Sequence, residues 1–158
     1  MSHADLWMHE AEEDSRSHYR RWLLLADEPQ ALATYWDLGV LWAFGVGPET
    51  VATALMLGHE KNRVVEIKNL AVSPWWQGRG IGSQVIRLLI AYYRSHDYKT
   101  IAVGTANCSL DNLGFYQKAG FRMDSIQKNF FTPDHGYAGI LQEHGITMQD
   151  MVWLTQEL

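Results

Sequence analysis

Residues 70–94, LAVSPWWQGRGIGSQVIRLLIAYYR, restrict the folds open to this chain more than any other stretch. They read as a buried strand, a turn crowded with glycine at Gln77-Gly78-Arg79-Gly80-Ile81-Gly82, and an amphipathic helix. Three glycines in five positions take away the Cβ atoms that would hold a ligand off the backbone. They fall where a helix begins, so unpaired N–H groups and the positive end of the helix dipole point the same way. Such a place suits a phosphate-bearing anion. A dinucleotide-binding turn would need G-x-G-x-x-G. Here the third glycine comes one residue early and Ser83 stands in the required place. The Gly-Lys-Ser/Thr of a nucleoside-triphosphate loop is absent. A turn that merely starts a helix is the plain alternative for these residues taken alone.

The 158 residues suit one domain with a sizeable core, expected over 1–158. At 47% hydrophobic and 20% charged the composition is that of a globular chain. Asp and Glu exceed Lys and Arg, 18 against 13, which argues against a nucleic-acid binder and is compatible with a cationic or amine-bearing substrate. No apolar run nears the roughly 20 residues of a membrane-spanning helix, and the acidic start lacks the apolar centre of a signal peptide. Cys108 is the one cysteine, so no internal disulfide forms, and a cytoplasmic location is the simplest expectation.

Leu6-Trp7-Met8 could open the sheet. Helical spacing then runs from Ser15 to the Asp27-Glu28-Pro29 stop, and a second short helix is expected over 30–37. Residues 40–46 and 51–57 read as a hairpin around Gly47-Pro48-Glu49-Thr50. The strand over 63–73 carries Val65 and Ile67 at odd positions but Leu70 and Val72 at even ones. That phase change predicts a β-bulge near Lys68-Asn69. The helix over 80–95 and the strand over 100–105 complete a βαβ unit, so its two strands should be parallel. A helix over 110–119, capped by Ser109 and ended by Gly120, precedes strands over 121–131 and 150–155. Residues 132–149 read as irregular. The fold class expected is α/β: a mixed, mostly antiparallel sheet, parallel at its centre and flanked by helices.

Gln77-x-x-Gly80-x-Gly82 resembles the pyrophosphate-binding turn, Q-x-x-G-x-G, of the GNAT superfamily of N-acetyltransferases. Glu66-Ile67-Lys68-Asn69-Leu70-Ala71-Val72 before it resembles that family's central segment. Phe115-Tyr116-Gln117-Lys118-Ala119-Gly120-Phe121 resembles its second signature, an aromatic-Tyr-x-x-x-Gly-Phe block. The resemblance extends over residues 40–158. It implies the acyl-CoA N-acyltransferase fold with a splayed parallel pair, acetyl-CoA as donor, an amine as acceptor, and direct attack in a ternary complex with no metal.

Each demand of that chemistry has a candidate. The N–H groups of Gln77, Gly78, Arg79, Gly80, Ile81, Gly82 and Ser83 would neutralise the pyrophosphate, with the Arg79 charge nearby. Leu70, Ala71 and Val72 would bond the pantetheine arm and offer an N–H to the thioester oxygen. A lysine-like amine has a pKa near ~10.4, so about one in a thousand is free at neutral pH and a base is needed. Glu66 stands where some protein-acetylating relatives have a catalytic glutamate; a strand carboxylate paired with Lys68 or Arg63 is the alternative. His135 or His144 could serve as base instead. The resemblance makes Tyr116 the acid for the leaving thiolate; packing on the sheet is its other reading. The family usually places Asn seven residues before this Tyr; here Ser109 stands there, with Asn107 and Asn112 on either side. Cys108 lacks the Cys-His-Asn surroundings of a nucleophile. Trp75 and Trp76 would cover the cofactor's edge or join an oligomer contact, so a homodimer stays open. The acceptor pocket should come from residues 17–39 and 125–149. A non-catalytic acyl-CoA sensor of the same fold remains the alternative function.

Overall fold

The computed structural model describes residues 5–158, so residues 1–4 of the expected domain lie outside the described residues. The β-rich middle follows the period-two pattern. Strands β1 (Trp7–Glu10), β2 (Val40–Val46), β3 (Glu49–His59) and β4 (Val64–Val72) form an antiparallel meander. β3 begins earlier than expected, so the hairpin turn shrinks to Gly47-Pro48, where Gly47 takes a φ of +56°. Helix α3 (Ile81–Ser95) then carries the chain to β5 (Thr100–Ala106), which lies parallel to β4. After it come a helix over Leu110–Lys118, strand β6 (Arg122–Gln127), a small hairpin of β7 (Gln142–Glu143) with β8 (Ile146–Thr147), and β9 (Met151–Glu157). The last strand inserts between β5 and β6, giving the order β1-β2-β3-β4-β5-β9-β6.

Alternation along β2 and β3 splits the core between the two faces of the sheet. Trp42, Phe44, Ala54 and Met56 join Val85, Ile86 and Leu89 of α3 on one face. Leu41 and Leu55 meet Leu23, Leu32 and Tyr35 on the other. That second face is covered by less regular structure than the helical spacing predicts. Residues Glu13–Tyr19 form a 3-10 segment, followed by the single turns α1 (Arg20–Leu23) and α2 (Pro29–Leu32). The Arg16 guanidinium bonds the carbonyls of Trp36 (3.0 Å), Gly39 (2.9 Å) and Leu38. These long-range bonds satisfy chain ends that a longer helix would have satisfied internally. We label the helix over Leu110–Lys118 α4.

Candidate active site

The site begins where the parallel ladder ends. β4 and β5 pair from Val64–Thr100 to Ile67–Val103 and no further, although β4 runs on to Val72 and β5 to Ala106. At that point Leu55 faces Asn69 and Met56 faces Ile67, which leaves Lys68 as an extra residue in β4. This is the predicted bulge. It keeps Leu70 and Val72 on the core face used by Val65 and Ile67. It also turns two neighbours to one side: the Lys68 ammonium lies 4.9 Å over the Tyr35 ring, and Asn69 Nδ2 donates to the Tyr35 hydroxyl at 3.0 Å. The strands diverge beyond it around a groove of about 870 Å³. Glu66 and Leu70–Val72 line one wall, and Val103 to Ala106 the other.

The glycine turn closes one end. A 3-10 turn over Pro74–Trp76 leads into it, and Gln77 Nε2 donates back to the Val72 carbonyl at 3.1 Å. Gly78 and Gly80 take φ values of +74° and +80°, and a Cβ on either would meet open space. Their left-handed backbone calls for glycine, and no protein atom crowds the missing Cβ. Gly82 is different: a Cβ there would come 3.0 Å from Phe115 Cζ, so it sets the approach of α3 to α4. The first helical bond of α3 runs from Gln84 N to the Gly80 carbonyl at 3.2 Å. The N–H groups of Ile81, Gly82 and Ser83 therefore precede the helical ladder, and all three residues line the groove with Gln77, Gly78 and Gly80. Arg79 does not line it; its guanidinium stacks 5.0 Å over Trp76, whose indole N–H donates to Glu49 at 3.0 Å. Trp76 borders the groove, while Trp75 is exposed.

α4 supplies the opposite side. Tyr116 lines the groove yet is 7% exposed, packed edge-on against Phe115 and Phe121. Burial pushes its phenol well above the ordinary tyrosine range, so it keeps its proton. Ser109 and Asn112 line the groove as well. Ser109 makes no side-chain cap, because its hydroxyl donates instead to Glu143 at 3.3 Å. Asn107 does not reach the groove. Its Nδ2 donates to the Thr147 carbonyl, and its Oδ1 accepts the N–H groups of Gln149 and Asp150, which ties the late loop to the end of β5. Cys108 is fully buried outside the lining, and burial with the Glu143 charge pushes its thiol upward.

Glu66 lines the groove with 14% of its side chain exposed. Its neighbour is His59, 4.0 Å away, and not Lys68 or Arg63. The two loop histidines stand elsewhere: His135 stacks on Phe130 at 4.4 Å, and His144 lies 3.6 Å from Asp111. The far end of the groove is built by residues 24–28, Phe131 and Tyr137. These residues fall within the stretches 17–39 and 125–149, and one contact joins the two. Tyr35 and Tyr137 both donate to Asp27, at 2.7 and 2.8 Å. In the sequence Asp27 shows only as part of a helix stop. No group of three or more metal-ligating side chains occurs among the described residues, and among them no helix is long and apolar enough to cross a membrane.

A groove between splayed parallel strands, bounded by free amides at a helix mouth, defines the fold of an acyl-CoA N-acyltransferase. The Acetyltransferase (GNAT) family model matches residues 2–121, and the chain belongs to that family of N-acetyltransferases. It is 34% identical over 137 residues, 86% of each chain, to a Bacillus subtilis protein named uncharacterized N-acetyltransferase YvbK. A Bacillus subtilis acetyltransferase solved with CoA is 32% identical at a TM-score of 0.85, with 98% of this chain and 99% of that one covered. An Elizabethkingia anophelis GNAT family acetyltransferase solved with acetyl-CoA is 33% identical at 0.86, covering 97% and 98%.

Proposed function

We propose that the chain, as a single domain, transfers an acetyl group from acetyl-CoA to a primary amine by direct attack in a ternary complex. The observation that carries this reading is the ladder that stops at Ile67–Val103, which opens a groove from the mouth of α3 to the α1–α2 loop. Bound acetyl-CoA would supply an activated acyl carbon and a thiol leaving group. The chain's own residues would do the rest. The amides of Ile81, Gly82 and Ser83, with Gln77, Gly78 and Gly80, hold the diphosphate. Arg79 adds positive charge at the rim from its seat on Trp76. The released backbone of Leu70, Ala71 and Val72 bonds the arm and turns an N–H toward the thioester oxygen. Ser109 and Asn112 border the arm; Asn107 is left out, since its amide is committed to the loop.

Glu66 takes a proton from the acceptor amine, directly or through water. Tyr116 donates to the leaving sulfur from a site that keeps its phenol neutral. The buried Cys108, absent from the groove, supports direct attack over an acyl-enzyme, and a free thiol suits the cytoplasm. Tyr116→Phe keeps the packing on Phe115 and Phe121 while removing the donor. Turnover, read as thiol release over a panel of amines, should fall about 100-fold with acetyl-CoA affinity unchanged. Full turnover in this variant refutes the acid role. Failure to release thiol with any amine of the panel, despite tight acetyl-CoA binding, refutes the enzyme and leaves the sensor.

A further inference from the structure

We propose that the α1–α2 end of the groove is a subsite for a second positive charge on the acceptor, read by Asp27 and Asn69. The preferred acceptor is then a small primary amine that carries another cationic group. This inference rests on the acetyl-transfer reading and names its substrate class.

The first observation is an acceptor atom without a donor. Asn69 lines the groove and is 4% exposed. Its Nδ2 donates to the Leu23 carbonyl at 2.9 Å and to the Tyr35 hydroxyl at 3.0 Å. The Leu23 carbonyl can only accept, so it fixes which way the amide faces. Tyr35 gives its own proton to Asp27, so its oxygen is free to accept from Asn69. Both amide hydrogens are therefore used, and Asn69 Oδ1 is left buried with no partner. Leaving such an atom unpaired is costly, and a donor-bearing ligand removes the cost.

The second observation is charge. Asp27, Glu28, Glu66 and Glu143 line the groove against one basic residue, Lys68. The Lys68 ammonium lies over the Tyr35 ring, and among the described residues it forms no ion pair with these carboxylates. Asp27 is held still for a ligand. Its Oδ2 accepts from Tyr35 at 2.7 Å, and its Oδ1 accepts from Tyr137 and from the Glu28 N–H, each at 2.8 Å. Asp27 and Glu66 line the same groove, Asp27 on the Tyr35 hydroxyl and Glu66 on β4 three residues before Asn69. One ammonium could thus meet Glu66 while another meets Asp27. The Lys68 ammonium is taken up by the Tyr35 ring, and the free positions on Asp27 and Asn69 accept, so a ligand that meets these two must donate; an ammonium brings donors and the complementary charge.

The test compares putrescine and cadaverine with butylamine and pentylamine, on the full chain with acetyl-CoA saturating. For the diamines, kcat/KM should exceed that of the monoamines at least about 10-fold. Asp27→Asn should erase that ratio by raising the diamine KM while kcat holds. Tyr137→Phe removes one tie to the loop but keeps the carboxylate, and should retain the ratio. Equal kcat/KM for diamine and monoamine in the parent chain overturns the subsite. So does preference for an acidic amino acid, and so does loss of the ratio in Tyr137→Phe as complete as in Asp27→Asn. Calorimetry of putrescine on the CoA-bound chain is a readout that needs no turnover. Binding that Asp27→Asn weakens supports the subsite even if no amine is acetylated, which would sink the transfer reading alone. Absence of binding there sinks the subsite.

Discussion

The Tyr93 hydroxyl, on the buried face of α3, accepts the indole N–H of the buried Trp42 of β2 at 2.9 Å. Tyr93→Phe keeps the ring and strands the indole donor, which should cost about 1–3 kcal/mol. The urea midpoint should fall with the slope of the transition unchanged. The same phenol gives a pH dependence. Burial pushes it up to about 12, against the pull of the indole donor. Its folded value lies above its unfolded one, so its stabilisation is complete below about pH 10. It is lost as pH rises through about 12. Thermal midpoints across that window should fall less steeply in Tyr93→Phe than in the parent chain. The glycine turn shows how far residue identity could be read. That Gly78, Gly80 and Gly82 bare the backbone was legible, because glycine has no Cβ anywhere. That Gly82 serves Phe115, and that Arg79 turns to Trp76, depends on neighbours brought in by folding.

At the level of elements, β4 was the most legible. Its change of phase at Lys68-Asn69 is local, since alternation is written in successive residues. The structure has the extra residue at Lys68. Deleting Lys68 should restore an unbroken ladder with β3, keep Leu70 and Val72 on the core face, take the Lys68 contact off Tyr35 and carry the pairing with β5 past Ile67–Val103, which closes the groove. The expected outcome is a lower melting temperature and loss of acetyl-CoA binding by calorimetry. Unchanged binding would show that the bulge does not open the groove. The segment over 13–37 was the least legible. Its apolar spacing suggested two helices, but the Arg16 bonds to carbonyls of Trp36, Leu38 and Gly39 support shorter turns. Helical periodicity reports which face is apolar, not which partners will satisfy the chain ends.

Across the whole molecule, the groove joins segments far apart in sequence. The bond from Tyr137 to Asp27 spans 110 residues, and a Cβ on Gly136 would stand 2.5 Å from the Ala31 nitrogen. The late loop and the α1–α2 turns thus form one wall. A ligand that bridges the mouth of α3 and the two splayed strands binds the native state and not the unfolded chain. Acetyl-CoA at about 100 times its dissociation constant should therefore add about 2.7 kcal/mol to unfolding. Chemical denaturation with and without the ligand checks this; no shift would mean that the groove does not take acetyl-CoA. Sequence by itself determined the strand pattern, the parallel βαβ unit, the bulge and the bare amides at the head of α3. All of these follow from backbone preferences and periodicities that act over a few residues. Only the tertiary structure decided that Arg79 and Asn107 leave the groove, that Ser109 bonds Glu143, and that Asp27, Tyr35, Asn69 and Tyr137 share one network. Hydrogen-bond partners of side chains are chosen by which donors and acceptors folding places within reach, and no local pattern encodes that distance.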